Sequence, residues 1–119
     1  MNKLLLAALV TGALSAPAFA ADYTIMAPAG PGGGWDQTAR TMQEALQAEG
    51  ISGNVQVTNV PGAGGTIGLA QFATQENGNP NALIVGGYVM VGAILTNMSP
   101  VSLDNVTPIA RLTGEAVAL

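Results

Sequence analysis

Hydrophobic and polar residues follow two different periods along the chain and predict strands and helices in turn. Tyr23–Ala27 is a β-prone run that stops at a proline, as expected of a first strand. The next apolar residues recur at helical spacing: Trp35, Ala39, Met42 and Leu46. Asp36 and Arg40 lie four residues apart on another face of this helix and can pair, and Gly50 is expected to end it.

The remaining pattern predicts further strands and two more helices. Alternation over Asn54–Val60 predicts a second strand, and Thr66–Ala73 a second helix with its first threonine as N-cap. Ala82–Gly87 is a continuous apolar run, as in a strand buried on both faces. Tyr88–Leu95 predicts a short third helix, and Thr107–Leu119 is expected to hold one or two strands.

Glycine-rich segments separate each of the first two strands from the helix that follows, at Pro28–Gly34 and Pro61–Gly65. The repeated order of strand, glycine loop and helix predicts an α/β unit with a parallel sheet. Ligands of such sheets bind beyond the carboxyl ends of the strands. Both glycine loops are therefore expected at the ligand-binding edge.

The two ends of the chain carry predictions of their own. Lys3, the apolar run Leu4–Leu14 and the small residues of Ala18–Ala20 form the pattern of a cleavable export signal. We expect residues 1–20 to be removed and residues 21–119 to reach the periplasm. Glu115–Leu119 reads as the start of a strand with no closing turn, so residues 21–119 are expected to be either an incomplete N-terminal fragment or a truncated, non-binding product.

Composition narrows the chemistry of residues 21–119. They hold two arginines, no lysine and all seven acidic residues, which leaves a formal charge of −5. Nucleic-acid binding needs clustered lysine and arginine, so that class of function is excluded. The chain has no cysteine and no histidine, which removes thiol nucleophiles, the usual zinc sites and a Ser-His-Asp triad. We expect neither a cofactor nor a metal, and no enzymatic activity.

The glycine loops are candidate anion sites that need no cationic side chain, because a glycine turn before a helix presents free N–H groups and a partial positive charge. Neither loop has the lysine of a phosphate-binding Walker loop or the spacing of a dinucleotide fingerprint. Asp36 either favours the start of its helix or holds an ordered water against a ligand. We favour the water, because a carboxylate that touches an anion directly would repel it.

Together, Pro28–Arg40 (PAGPGGGWDQTAR), Asn59–Gly68 (NVPGAGGTIG) and Thr107–Leu112 (TPIARL) resemble the receptor family of tripartite tricarboxylate transporters, also called Bug-type receptors. The resemblance covers essentially all of residues 21–119. It implies a type II periplasmic binding protein fold, of which residues 21–119 are the first α/β lobe and the second lobe is absent. It also implies a small carboxylate as ligand and two integral membrane subunits as partners.

The same resemblance implies which residues line the ligand site. The first loop would bind the carboxylate through backbone groups, the second would close the other side, and the residues after the third strand would face the same cleft. The residues so implied are Ala29, Gly30, Gly32, Gly33, Asp36, Asn59, Gly62, Ala63, Gly64, Gly65, Thr66, Gly87 and Tyr88. Because half of the site is expected to lie in the absent lobe, residues 21–119 alone should bind citrate weakly or not at all.

Two other classes of function stay open. In an enzyme the glycine loops would cradle an oxyanion, with Asp36 or Glu115 as base. In a structural or interaction protein the glycines would serve turns only. A ligand that leaves the protein chemically unchanged separates the receptor from the enzyme.

Replacing Gly64 by Val separates the receptor from the structural protein. If the second loop is a site, Gly64→Val is expected to abolish the response to a carboxylate while leaving the fold largely intact. Binding measured by calorimetry, with circular dichroism as the check on the fold, tests this expectation.

Overall fold

Short β-prone runs form one parallel sheet in the computed structural model, which describes residues 21–114. The strands in chain order are β1 (Tyr23–Ala27), β2 (Val55–Asn59) and β3 (Ala82–Ile84). Their order across the sheet is β2-β1-β3, and β1 pairs in parallel with both neighbours. Ile25 lies opposite Val57 on one side and opposite Leu83 on the other. The predicted α/β unit with a parallel sheet is confirmed.

Each strand leads into a helix. The helices are α1 (Gly34–Ala48), α2 (Thr66–Gln75) and α3 (Tyr88–Thr96). Single 3₁₀ turns precede α2 at Ala63–Gly65 and follow α3 at Leu103–Asn105. After α1, Gly50 adopts a φ of 66°, and the N–H of Ile51 then bonds the carbonyl of Leu46 at 3.0 Å. Gly50 therefore ends the helix as the sequence predicts.

The main core lies between the sheet and α1. Its buried members are Ile25, Ala27, Ala39, Val55 and Val85. Residues of α1 at helical spacing pack against them: Trp35, Met42 and Leu46. The apolar stripe that the sequence analysis assigned to this helix is thus the stripe that faces the sheet.

The second helix packs close to the carboxyl end of β1. Gly68 in α2 lies against Pro28 and the carbonyl oxygen of Val60. Farther along, a cavity of about 150 Å³ remains between the strands and α2. Its lining is mostly apolar and includes Met26, Val60, Phe72 and Leu83. Contact between α2 and the sheet is thus tightest where the glycine loops lie.

Two local expectations are wrong. Gly65, not Thr66, is the N-cap of α2, and the hydroxyl of Thr66 donates to the carbonyl of Ala63 at 3.0 Å. The 3₁₀ turn places this carbonyl next to the threonine, so the hydroxyl donates instead of accepting. The third strand covers only Ala82–Ile84, and all three residues are half-buried. It lies at an edge of the sheet, where no strand within residues 21–114 pairs with its outer side.

The expected C-terminal strands are also absent from the part that the structure describes, because residues 107–114 form neither strand nor helix. The rest of that expectation, at 115–119, and the export signal at 1–20 lie outside the described residues. No helix between residues 21 and 114 is long and apolar enough to cross a membrane.

The close contact at Gly68 predicts an unusual response to alanine. A Cβ at this position would lie 2.7 Å from the Cβ of Pro28 and 3.2 Å from the carbonyl oxygen of Val60. Helix propensity alone favours alanine by about 1 kcal/mol, but forcing an extra atom into a packed contact costs about 1–3 kcal/mol. We expect Gly68→Ala to lower the free energy of unfolding, measured in urea.

Gly92→Ala is the matched control. Gly92 also lies inside a helix, α3, but no atom lies within 4 Å of its added Cβ. This variant should be more stable than the wild type by up to about 1 kcal/mol. Equal changes in the two variants would contradict the tight contact at Gly68.

Candidate functional site at the carboxyl edge of the sheet

The three connections that leave the strands meet at one edge of the sheet. β1 runs into residues 28–33, β2 into residues 60–65 and β3 into residues 85–87. Since all three strands are parallel, these segments share the carboxyl edge. The expectation that both glycine loops lie at this edge is confirmed.

A glycine is the N-cap of each of the three helices that start there. Gly33 precedes α1, Gly65 precedes α2 and Gly87 precedes α3, and none of the three helices has a side-chain cap. The first N–H groups of a helix have no partner within the helix and carry a partial positive charge. Three sets of such donors therefore start at the same edge of the sheet.

Trp35 holds these helix starts close together. A Cβ at Gly65 would lie 2.8 Å from Cζ3 of the Trp35 ring, and a Cβ at Gly87 would lie 3.2 Å from its Nε1. The indole therefore contacts the N-caps of α2 and α3 from the first turn of α1. Helical spacing predicted Trp35 on the apolar face of α1 but did not predict this second contact. Its signal was a lone tryptophan directly after the glycine run.

Among the glycines of the two loops, Gly64 approaches a neighbouring side chain most closely. Its φ is 62°, and an added Cβ would lie 2.6 Å from the Cβ of Ala93 in α3. A side chain at position 64 is thus disfavoured by both the backbone and the packing. The expectation that Gly64→Val leaves the fold largely intact is wrong.

Asp36 joins the two glycine loops and is buried, with 2% of its surface exposed. Its Oδ2 accepts from the N–H of Gly32 at 2.8 Å and from Nε of Arg40 at 3.0 Å. Its Oδ1 accepts from Nδ2 of Asn59 at 2.9 Å, and the same Nδ2 donates to the carbonyl of Ala29 at 3.0 Å. The expected pairing of Asp36 with Arg40 is confirmed, whereas Asn59, 23 residues away, was not expected as a partner of Asp36.

These hydrogen bonds set the ionisation of Asp36. The bonds from Arg40, from the amide of Gly32 and from Asn59 lower the pKa of Asp36 from 3.8 to about 2, although burial acts in the opposite direction. Asp36 is therefore a carboxylate at any pH near neutrality. The expected water between Asp36 and a ligand stays a prediction; three of the roughly four acceptor positions of the carboxylate already face protein donors.

The expected site residues fall into three groups by exposure. Five lie exposed at the edge: Gly32, Gly62, Ala63, Gly87 and Tyr88, the last with 76% of its surface accessible. Five are half-buried: Ala29, Gly30, Gly33, Asn59 and Gly64. Asp36, Gly65 and Thr66 are buried. Their role in ligand binding stays a prediction.

Some of the expected backbone donors already serve the fold. The N–H of Gly33 bonds the carbonyl of Gly30 at 3.0 Å, and the N–H of Gly65 bonds the carbonyl of Gly62 at 2.9 Å. The N–H of Gly32 is bound by Asp36. Two N–H groups at the helix starts are used as well: that of Thr66 bonds the carbonyl of Ala63, and that of Met90 bonds the carbonyl of Gly87 at 3.0 Å. The donors left for an anion are thus the remaining first N–H groups of the three helices.

Within residues 21–114, no group of three or more acidic side chains is placed to hold a metal ion. Comparison of the chain with protein-family models, with curated proteins and with solved structures finds no match.

The lowered pKa of Asp36 predicts how stability changes with pH. Because the folded-state pKa of about 2 lies below the ordinary 3.8, the carboxylate stabilises the fold above about pH 5, and this contribution is lost as the pH falls toward 2. Asp36→Asn should therefore lower stability at neutral pH and flatten its fall between about pH 5 and pH 2. Thermal unfolding across this range measures both effects.

Asp22→Asn is the control, because it removes the same charge from an exposed position. The stability of this variant should depend on pH as that of the wild type does. Parallel pH curves for Asp36→Asn and the wild type would show that the hydrogen bonds to Asp36 contribute no stability.

Proposed function

We propose that residues 21–119 are the first lobe of a periplasmic receptor that binds small carboxylates without changing them. In this proposal the protein has a type II periplasmic binding protein fold and delivers its ligand to integral membrane subunits of a tripartite tricarboxylate transporter. The resemblance of Pro28–Arg40 and Asn59–Gly68 to that receptor family supports the family and the partners. The export pattern of residues 1–20 supports the location.

The observation that carries carboxylate binding is the meeting of three glycine-capped helix starts at one edge of the sheet. Backbone N–H groups at helix N-termini bind anions without a cationic side chain. A carboxylate presents two oxygens to such donors and carries only one charge. That matches a site whose nearest cation, Arg40, is already paired with Asp36.

The geometry at Asp36 favours binding over catalysis. A general base works best when its pKa lies near the operating pH, whereas the pKa of Asp36 is about 2. Its two oxygens also accept hydrogen bonds from Gly32, Arg40 and Asn59. Glu115, the other base considered, lies outside the described residues. An oxyanion-stabilising enzyme is therefore the weaker candidate.

The lobe presents an open site. Exposed Gly62, Ala63, Gly87 and Tyr88 line its rim. In the proposed receptor a second lobe would cover this rim and contact the far end of the ligand. Binding by this lobe alone should accordingly be weak, because a ligand at an open surface keeps most of its contact with water.

Gly30→Val tests the site without the packing problem of position 64. No atom lies within 4 Å of a Cβ built on Gly30, and its φ is not positive. The valine would stand at the edge of the first loop and obstruct a ligand there. We expect citrate to shift the backbone amide resonances of residues 28–36 and 60–67 in the wild type, and these shifts to vanish in Gly30→Val.

The control is Gly92→Val, which adds the same side chain at another open position. It should respond to citrate as the wild type does, and both variants should keep the wild-type melting temperature. Glycerol should leave every resonance in place, and citrate should be recovered unchanged. Equal responses of Gly30→Val and the wild type would reject the proposed site, and conversion of citrate would reject the receptor.

A further inference from the structure

Asn59 connects the two glycine loops through both hydrogens of its side-chain amide. One hydrogen bonds the carbonyl of Ala29 in the first loop at 3.0 Å, and the other bonds Oδ1 of Asp36 at 2.9 Å. Asn59 is the last residue of β2, and the second glycine loop starts directly after it. On the other side of the carboxylate, Oδ2 accepts from the N–H of Gly32. One amide and one carboxylate thus join both loops.

We propose that Asp36, Asn59 and Arg40 are positioning residues that fix the separation of the two glycine loops before a ligand arrives. The inference rests on the proposed carboxylate site and assigns these residues a role other than ligand contact. Both carboxylate oxygens of Asp36, Nδ2 of Asn59 and Nε of Arg40 bond other protein atoms. We therefore expect their effect on a ligand to pass through the loops.

The loops need such a link because their own conformations are costly to hold. Gly32 has a φ of 83° and Gly62 a φ of 131°, values that a chain leaves readily unless other bonds hold them. A site whose donors must be ordered at the moment of binding loses affinity to that ordering. Bonds from Asp36 to Gly32 and from Asn59 to Ala29 order the first loop in advance.

Arg40 neutralises the charge that Asp36 brings to the site. Asp36 would place a negative charge directly beneath an anion site, and its low exposure limits screening by water. Arg40 lies on the next turn of α1, with its Nε 3.0 Å from Oδ2 and half of its side chain exposed. The pair is close to neutral as a whole, so the site keeps the hydrogen bonds of a carboxylate without its repulsion.

Asn59→Asp tests the link with almost no change of shape. It removes both donated hydrogens and places a carboxylate beside Asp36, the charged group that bonds Asn59 and that is itself paired with Arg40. At pH 7 we expect hydrogen exchange of the Gly32 amide to accelerate about tenfold and the Kd for citrate, from resonance shifts, to rise about tenfold. Below about pH 5 a shared proton restores one bond, and both values should move back toward those of the wild type at the same pH.

Asn54→Asp is the matched control, because Asn54 is exposed and lies just before the opposite end of β2. It should leave Gly32 exchange and citrate affinity unchanged at both pH values. Wild-type citrate affinity in Asn59→Asp at pH 7 overturns the proposal, and so does unchanged Gly32 exchange. If citrate at high concentration shifts no amide resonance of the wild type, the carboxylate site proposed for this lobe fails, and Gly32 exchange alone then decides whether the link exists.

Arg40→Met tests whether Arg40 neutralises Asp36, and it gives an answer even if Asn59→Asp does not fold. Methionine keeps much of the aliphatic stem and removes the cation. Citrate should bind several-fold more weakly at low salt, and the difference should shrink as salt screens the uncovered carboxylate. Arg111→Met removes an equal charge from the exposed segment at 107–114 and should bind citrate as the wild type does. Equal losses in the two variants would show that only net charge matters, which overturns this role of Arg40.

Discussion

The parallel pairing of β1 with both of its neighbours is the constraint on which the rest of the structure depends. It sends all three strand-to-helix connections to one edge of the sheet. The connections can then meet only if their backbones approach closely. Gly64, Gly65 and Gly87 allow this, because a Cβ at each would lie within 3.2 Å of a neighbouring side chain. The sheet topology therefore requires glycine at these positions.

The edge combines rigid and open parts. Trp35 packs against two helix N-caps, and Asp36 bonds Gly32 in the first loop and Asn59 at the end of β2. Side chains of a single helical turn of α1 therefore hold the base of this edge. Above this base, the exposed glycines and Tyr88 make few contacts. An arrangement with a fixed floor and an uncovered rim suits reversible binding of a small anion, in which the donors are ordered but the ligand can still enter.

Much of the fold could be predicted because its signals are local. Strand alternation, helical spacing from Trp35 to Leu46 and the glycine after α1 each depend on residues a few positions apart. The pair of Asp36 and Arg40 was predictable for the same reason, as one helical turn separates them. The errors arose where residues outside a segment determine its conformation or its hydrogen bonds. Thr66 donates to Ala63 because a 3₁₀ turn precedes it, and β3 is short and half-buried because it lies at the edge of the sheet.

The sequence by itself determined the order of strands and helices from β1 to α3, the parallel sheet and the edge at which the glycine loops lie. It also indicated that an anion here must rely on backbone donors, since cationic side chains are nearly absent. Only the tertiary structure decided the partners of Asp36, the contacts of Trp35 and which glycines can carry a side chain. These depend on atoms up to 55 residues apart, such as Trp35 and Met90 around Gly65, brought together by strand pairing that no local spacing encodes.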